Sequence, residues 1–190
     1  MKTMQIRWTG LTPLLMHSAV GVNPTHPLTL ACSKITSKRK KTEEDQIELL
    51  RLKWLLAMYH DAEVGPFIPA ENVEATIREA AKKTKRGKDT KVGIFVGPDR
   101  IPLQYDGPRD TDKLYADERF RDVRDGVIGT SRVLVSRPRF NHWAIDFSLE
   151  YDPTVFDEET ILSILDTAGK YIGLCDYRPR YGRFESQVIR

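Results

Sequence analysis

The chain has 190 residues, 40% of them hydrophobic, so it is long and apolar enough to enclose a proper core. Cys32 and Cys175 are its only cysteines and lie far apart, which excludes a zinc knuckle or a disulfide framework and is typical of a reducing, cytoplasmic setting. No apolar run is long enough to span a bilayer, so we expect a cytoplasmic protein without a membrane partner.

The net charge of +3 is small, but the charges are unevenly distributed. Residues 1–42 contain no aspartate or glutamate and carry the basic cluster Lys38, Arg39, Lys40 and Lys41. The rest of the chain is therefore net acidic. This asymmetry favours a localised surface for a polyanion, and the alternative is a short solvated basic loop.

The first half of the chain is predicted to contain one strand and two helices. Alternating apolar and polar residues predict a strand over 4–9, whereas 10–41 contains three prolines and is predicted to lack regular structure. Helices are predicted over 42–60, with Thr42 as the N-cap, and from Pro69 or Ala70 to Lys83. The residues predicted to face the core are Ile47, Leu50, Trp54, Leu55 and Met58 in the first helix, and Val73, Ile77, Ala80 and Ala81 in the second.

A second basic segment follows these helices. Residues 82–91 contain six cations and one acid, which favours phosphate contacts, although a solvated helix end has the same composition. The candidate contacts in this segment are Lys82, Lys83, Lys85, Arg86 and Lys88.

The rest of the chain is predicted to contain four further strands and a helix. A short strand is predicted over 92–96, and the charged stretch 106–126 is predicted to be an excursion from the core. Strands are then predicted over 132–139 and 143–151, followed by a helix capped by Asp157 and a closing strand over 184–189. The helix residues predicted to be apolar contacts are Ile161, Leu162, Ile164, Leu165 and Ala168.

Residues 169–184 contain three glycines, three arginines and three tyrosines between the last helix and the last strand. Gly169 is predicted to end the helix in the left-handed conformation, while Gly173 and Gly182 allow turns or close approach. Aromatic rings stack on bases and guanidinium groups match phosphate oxygens, so we predict a nucleic-acid contact here, with a solvated loop as the alternative. The candidates are Tyr177, Arg178, Arg180, Tyr181 and Arg183.

The order strand, helices, strand, strand, helix, strand predicts the α+β class, as a ferredoxin-like (RRM-like) antiparallel sheet with helices on one face and long inserted loops. We expect one domain over 1–190, with insertions at about 11–41 and 97–129. The outward face of this sheet lacks the stacking aromatic residues of a conventional RNA-recognition motif, so binding is predicted to come from loops.

Three segments resemble the RAMP superfamily, the ferredoxin-like proteins from which CRISPR surveillance complexes build their repeated backbone subunit. Residues 9–21 resemble the loop before the first helix of that family, 66–82 its "I-P-G-S-S-L-K-G-A-L-R" helix opening, and 181–185 the end of its glycine-rich loop. The last segment, together with 136–152, is also similar to phage and prophage proteins. The family prefers glycine and serines where this chain has Ala70, Glu71 and Asn72.

The resemblance implies that nucleic acid runs over loops and inserted segments while adjacent subunits form a helical assembly. His17, in the matching loop, and Arg137 and Arg139 are further candidate contacts. Family members that cut RNA use an aspartate in the loop after the first strand, and 10–41 contains no acid, so that cleavage is not expected here.

We therefore predict a protein without enzymatic activity, catalytic residues, metal or cofactor. It binds single-stranded RNA or DNA through the backbone and forms a homo-oligomer or helical filament, alone or in a CRISPR-like complex. One alternative is a metal-independent endoribonuclease of the RAMP type, for which His17 or His26 is the candidate acid or base. Another is a protein-interaction module that mimics a backbone subunit.

Overall fold

The computed structural model describes residues 1–128 and 131–189. The strands are β1 (Lys2–Gly10), β2 (Leu14–Leu15), β3 (His60–Asp61), β4 (Gly65–Pro69), β5 (Ile94–Gly97), β6 (Arg100–Pro102), β7 (Arg121–Ile128), β8 (Ser131–Phe140), β9 (Ala144–Tyr151) and β10 (Phe184–Ile189). The α-helices are α1 (Pro27–Thr36), α2 (Glu43–Ala57), α3 (Ala70–Lys82), α4 (Thr90–Gly93), α5 (Thr111–Ala116) and α6 (Glu158–Thr167). In this described part, none of the helices has the length and apolar character needed to cross a membrane.

Contacts within the chain divide it into two compact units. The first unit contains residues 1–14, 60–106 and the chain from 141 onward, and the second contains 15–59 and 107–140. Most of both segments predicted to be insertions falls in the second unit. Helix α2, which the sequence places beside the main sheet, belongs to the second unit as well.

The first unit is built on a four-stranded antiparallel sheet with the strand order β10-β1-β9-β5. Trp8 of β1 lies opposite Ile145 of β9 and Ser186 of β10. Alternate residues of β1 and β9 are buried against α3 and α6, which also pack against each other. The buried side chains of the two strands are Met4, Ile6, Trp8, Ile145, Phe147, Leu149 and Tyr151. A small antiparallel sheet, β3-β4-β6, completes the unit.

Several predicted elements of the first unit are confirmed. Strand β1 includes the predicted 4–9, α3 begins one residue after Pro69, and Asp157 accepts a hydrogen bond from the Thr160 amide at the start of α6. All four α3 residues predicted to face inward are buried. In α6, however, Leu162 is exposed, because the helix buries only the face of Ile161, Ile164 and Leu165.

The second unit packs α1 and α2 together and α2 against β8, the central strand of the sheet β2-β8-β7. Trp54 of α2 is fully buried, and its indole N–H donates to the Phe120 carbonyl at 2.9 Å. Thr42 caps α2 as predicted, and Asp45 completes a capping box with it.

The predicted inward stripe of α2 is only partly correct. Trp54 and Met58 are buried, but Ile47 is 57% exposed and Leu52 is buried in its place. The first turns of α2 lie away from the packed part of the unit, so their apolar residues remain in contact with solvent. The helix also ends at Ala57, three residues before the predicted His60.

The prediction that 10–41 lacks regular structure is wrong, because α1 occupies Pro27–Thr36. The His26 ring nitrogen accepts a hydrogen bond from the Leu28 amide, and Pro27 supplies the fixed φ that suits a first helical position. No residue of α1 is fully buried. A helix that buries no face needs no apolar stripe, and the sequence of this segment has no clear one. The charged stretch 106–126 likewise contains α5 and part of β7, anchored by buried Leu114 and Phe120.

Candidate nucleic-acid interface

The glycine-rich loop between α6 and β10 has a backbone that only glycine can follow at Gly173 and Gly182, whose φ angles are +80° and +73°. Gly182 donates its amide to the Pro13 carbonyl at 2.9 Å and accepts from the Leu174 amide at 2.8 Å. A Cβ on Gly182 would lie 2.0 Å from the Leu174 carbonyl oxygen. The loop is therefore held tightly against the end of β1.

Gly169 does not end α6 in the left-handed conformation, so that prediction is wrong. The residue lies in a π-helical turn, Ala168–Ile172, that continues α6, and a Cβ there would lie 2.1 Å from the Phe184 carbonyl oxygen. Glycine is required here because the helix end approaches β10 closely. Gly173 is the residue that ends the turn.

The same loop is joined to the segment after β1 by further hydrogen bonds. The Arg183 amide donates to Thr12 Oγ1 at 2.9 Å, and the Arg183 carbonyl accepts from the Leu11 amide at 2.7 Å. The Trp143 indole N–H donates to the Thr12 carbonyl at 2.9 Å. These bonds fix the main chain at Arg183 while its side chain stays exposed.

The loop side chains divide into inward and outward groups. Arg178 turns toward α3, with its guanidinium 3.5 Å from both Thr76 Oγ1 and the Gly173 carbonyl oxygen. Arg180 and Arg183 are exposed and form no hydrogen bond or ion pair through their side chains with any residue that the structure describes. The Tyr177 ring is 50% exposed, and its centroid lies 5.6 Å from that of Tyr181.

The basic segment after α3 is also divided. Arg86 donates to the Val155 carbonyl and places its guanidinium 4.3 Å from the centroid of the Phe156 ring, so this candidate is used for packing. Lys82 pairs with Glu79 at 2.5 Å. The candidates Lys85 and Lys88 are exposed and have no ion-pair partner within 1–128 and 131–189.

The structure brings these two basic segments together. The Lys83 ammonium lies 5.2 Å from the ring centroid of Tyr171, in the π-helical turn that leads into the glycine-rich loop. Tyr171 is 62% exposed and was not among the sequence candidates, although it is one of the three tyrosines in 169–184. Tyr171 lies about one helical turn beyond the end of α6, and this position in the sequence could have identified it as a candidate contact.

The remaining candidates lie in the second unit. Lys38 pairs with Asp45 at 2.6 Å and Lys41 donates to the Lys38 carbonyl, while Arg39 and Lys40 are exposed. The His17 ring is exposed, and Arg137 and Arg139 are half-buried on β8. The structure therefore divides the predicted contacts between two separate compact units.

The outward face of β1 and β9, the two central strands of the main sheet, carries fixed charges, whereas Phe95 of the edge strand β5 is 49% exposed opposite Glu150. Arg7 makes two hydrogen bonds to Asp146, at 2.7 and 2.6 Å, and Gln104 donates to the same carboxylate at 2.8 Å. The hydrogen bond from Arg7 holds the pKa of Asp146 below its ordinary value. These side chains satisfy one another, and the described outward residues of β1 and β9 include no aromatic side chain, as the sequence predicts.

Two observations concern metal binding and thiol reactivity. Within the described ranges, His, Cys, Asp and Glu side chains form no group of three or more that could hold a metal ion. Burial raises the pKa of the Cys175 thiol to about 12, although the residue as a whole is only partly buried, so this thiol is protonated at neutral pH.

In comparisons with known proteins, no family model matches the chain and no curated protein is significantly similar to it.

Proposed function

We propose that the first unit has the ferredoxin-like topology. Its main elements follow one another along the chain as β1, α3, β5, β9, α6 and β10. Across the sheet the strands lie in the order β10, β1, β9 and β5, which are the fourth, first, third and second of these strands along the chain. A split βαβ arrangement has this order. The order also supports the proposal of a RAMP-like protein, because the segments that resemble that family are the loop after β1, α3 and the end of the glycine-rich loop.

We propose that this unit binds single-stranded nucleic acid through its backbone. The binding surface, called here the arginine-tyrosine surface, consists of Lys83, Lys85, Lys88, Tyr171, Tyr177, Arg180 and Arg183. The single observation that carries the proposal is that Arg180 and Arg183 are exposed without a counter-ion among the described residues, while hydrogen bonds fix the main chain at Tyr181 and Arg183. Fixed cations bind phosphates at a small entropic cost, because their main chain does not have to be ordered.

The exposed tyrosines complement these cations. Tyr171 and Tyr177 are 62% and 50% exposed, and stacking of bases on aromatic rings does not depend on sequence. Single-stranded nucleic acid exposes both phosphates and base faces, whereas a duplex buries the faces. The surface therefore favours a single strand and recognition of its backbone.

Replacing Arg180 and Arg183 together by alanine is expected to weaken binding of a fluorescent 20-nucleotide single strand by about tenfold at low salt. Loss of two phosphate contacts is also expected to reduce the salt slope by roughly 1.4, since each contact contributes about 0.7 for a single strand. Fluorescence anisotropy at several salt concentrations measures both quantities.

The matched control is the double variant Lys2→Ala/Arg109→Ala, which removes two exposed cations outside the arginine-tyrosine surface. It should change neither affinity nor slope beyond the small effect of net charge. If both double variants behave alike, the arginines are not specific contacts and the proposed surface is wrong.

We also propose, from the resemblance, that copies of the chain assemble along the bound strand. A heterologous contact between copies gives an open assembly unless its rotation closes a ring. The mass of the complex, measured by light scattering, should then increase with strand length from 10 to 40 nucleotides. A constant protein mass on all lengths would contradict assembly while leaving binding intact.

A further inference from the structure

The first unit contains a cavity of about 160 Å³ between α3, α4 and β5, called here the α3-β5 pocket. Its lining includes Ile77 and Ile94, which are buried, and Lys91 and Phe95, which are exposed. Glu74 and Arg78 of α3 line it as well. The pocket therefore opens to solvent and combines an apolar wall with charged groups.

Arg78 is the first sign that this pocket binds an anion. The residue is half-buried and forms no hydrogen bond or ion pair with any residue that the structure describes. Glu74 lies four residues earlier, at the spacing of a helical ion pair, but its carboxylate accepts a hydrogen bond from the Val96 amide at 3.1 Å. Glu79 pairs with Lys82 at 2.5 Å. No nitrogen of the Arg78 guanidinium is buried without a partner, so a ligand can reach this group.

Lys91 is the second unpaired cation of the pocket. It is exposed, and within the described ranges its ammonium has no ion-pair partner. The Lys91 amide donates to the Lys88 carbonyl at 3.2 Å, and a Cβ on Gly87 would lie 3.2 Å from the Arg78 carbonyl oxygen. These contacts place the pocket next to Lys88, so it continues the arginine-tyrosine surface.

Phe95 supplies an aromatic ring beside these cations. Its side chain is exposed, and no other aromatic ring or cation stacks on it in the part of the chain that the structure describes. Glu150, its partner across the sheet, does not line the pocket. A single exposed apolar residue is ordinary on a protein surface. An aromatic ring in one pocket with two unpaired cations is instead the combination that binds a base and its phosphate together.

We propose that the α3-β5 pocket binds one nucleotide. The phosphate accepts hydrogen bonds from Arg78 and Lys91, and the base stacks on Phe95. The cavity is smaller than the roughly 300 Å³ at which sites that enclose a drug-sized ligand begin, so part of the nucleotide stays outside. An open pocket of this kind lets a nucleic-acid strand continue in both directions. The assignment of the nucleotide to a bound single strand rests on the function proposed above.

Titration of the ¹⁵N-labelled full chain with AMP, followed by two-dimensional NMR, tests this proposal. We expect saturable shifts at the amides of Lys91, Ile94 and Phe95. Adenosine, which lacks the phosphate, and inorganic phosphate, which lacks the base, should each bind about tenfold more weakly than AMP. This comparison uses the unaltered chain, so it remains decisive if a variant does not fold.

Variants of the pocket then assign each group. Arg78→Gln and Phe95→Ala should each weaken AMP binding by about tenfold. Glu74→Gln keeps an oxygen for the Val96 amide and removes a negative charge, so it should strengthen AMP binding by about threefold. The matched control is Lys2→Gln, an exposed cation of the same unit outside the pocket, which should leave the affinity unchanged.

Three results of the titration would overturn the proposal. Equal binding of AMP and adenosine would exclude the phosphate contacts, and equal binding of AMP and inorganic phosphate would exclude stacking on Phe95. A lack of saturable shifts at the three amides would exclude the pocket itself.

Anisotropy with the fluorescent single strand separates this inference from the function on which it rests. Arg78→Gln and Phe95→Ala should each weaken strand binding as well. If the strand binds and neither variant changes its affinity, the pocket holds no nucleotide of the strand, while the proposed function stands. If AMP fills the pocket and no single strand binds, the pocket is a site for free nucleotides and the proposed function is wrong.

Discussion

Replacing Gly182 by alanine is expected to lower the free energy of unfolding of the first unit by about 3 kcal/mol. The φ angle of +73° is unfavourable for alanine, and the new Cβ would lie 2.0 Å from the Leu174 carbonyl oxygen and 2.9 Å from the Leu174 nitrogen. Both neighbours are main-chain atoms in a hydrogen-bonded loop, so neither can move without breaking other bonds. Urea unfolding followed by circular dichroism measures the change.

The matched control is Gly21→Ala. A Cβ on Gly21 would meet nothing closer than Leu56 Cδ1 at 3.9 Å, and the φ angle of Gly21 is not in the left-handed region. Its effect should stay within about 1 kcal/mol. If the two variants lose the same stability, the close approach at Gly182 does not constrain the loop.

Trp8→Ala is expected to lower the free energy of unfolding by about 3–5 kcal/mol, the range for a large aromatic residue removed from a core. Trp8 is fully buried on β1. Its ring stacks on Phe184 of β10 with centroids 3.9 Å apart and meets the edge of Phe147 of β9 at 5.0 Å. The substitution therefore leaves a cavity where three strands meet, and the same urea experiment measures its cost.

Trp8→Phe is the informative partner of that variant. The Trp8 indole nitrogen is buried and has no hydrogen-bond partner within the described chain, so phenylalanine removes an unsatisfied donor along with some volume. We expect it to cost only about 1 kcal/mol. A loss as large as that of Trp8→Ala would show that the shape of the indole, and not its apolar surface, stabilises this core.

The elements that sequence alone determined are those specified by neighbouring residues. Alternation of apolar side chains predicts β1 and β9, because successive strand residues point to opposite faces. Thr42 and Asp157 predict the starts of α2 and α6, because a cap binds an amide only three residues away. The polar outward faces of β1 and β9 follow from the same alternation.

Only the tertiary structure decided which cations remain exposed. Arg178 turns to Thr76, 102 residues earlier, and Arg86 to Val155, 69 residues later, so two of the predicted contacts lie against other elements of the first unit. Arg180 and Arg183 find no such partner among the described residues. Composition cannot distinguish Arg86 and Arg178 from Arg180 and Arg183, because the exposure of each side chain depends on which distant residues the fold places beside it.

Long-range packing also decided that α2 belongs to the second unit and packs against β8. Lys53 and Leu134 are 81 residues apart in sequence, and nothing in the pattern around either predicts their hydrogen bond. Gly169 shows the same dependence: its lack of a side chain is required by Phe184, on the next strand, and not by the helix that contains it. Periodicity and caps act over one or two turns, whereas these contacts exist only after distant segments have packed together.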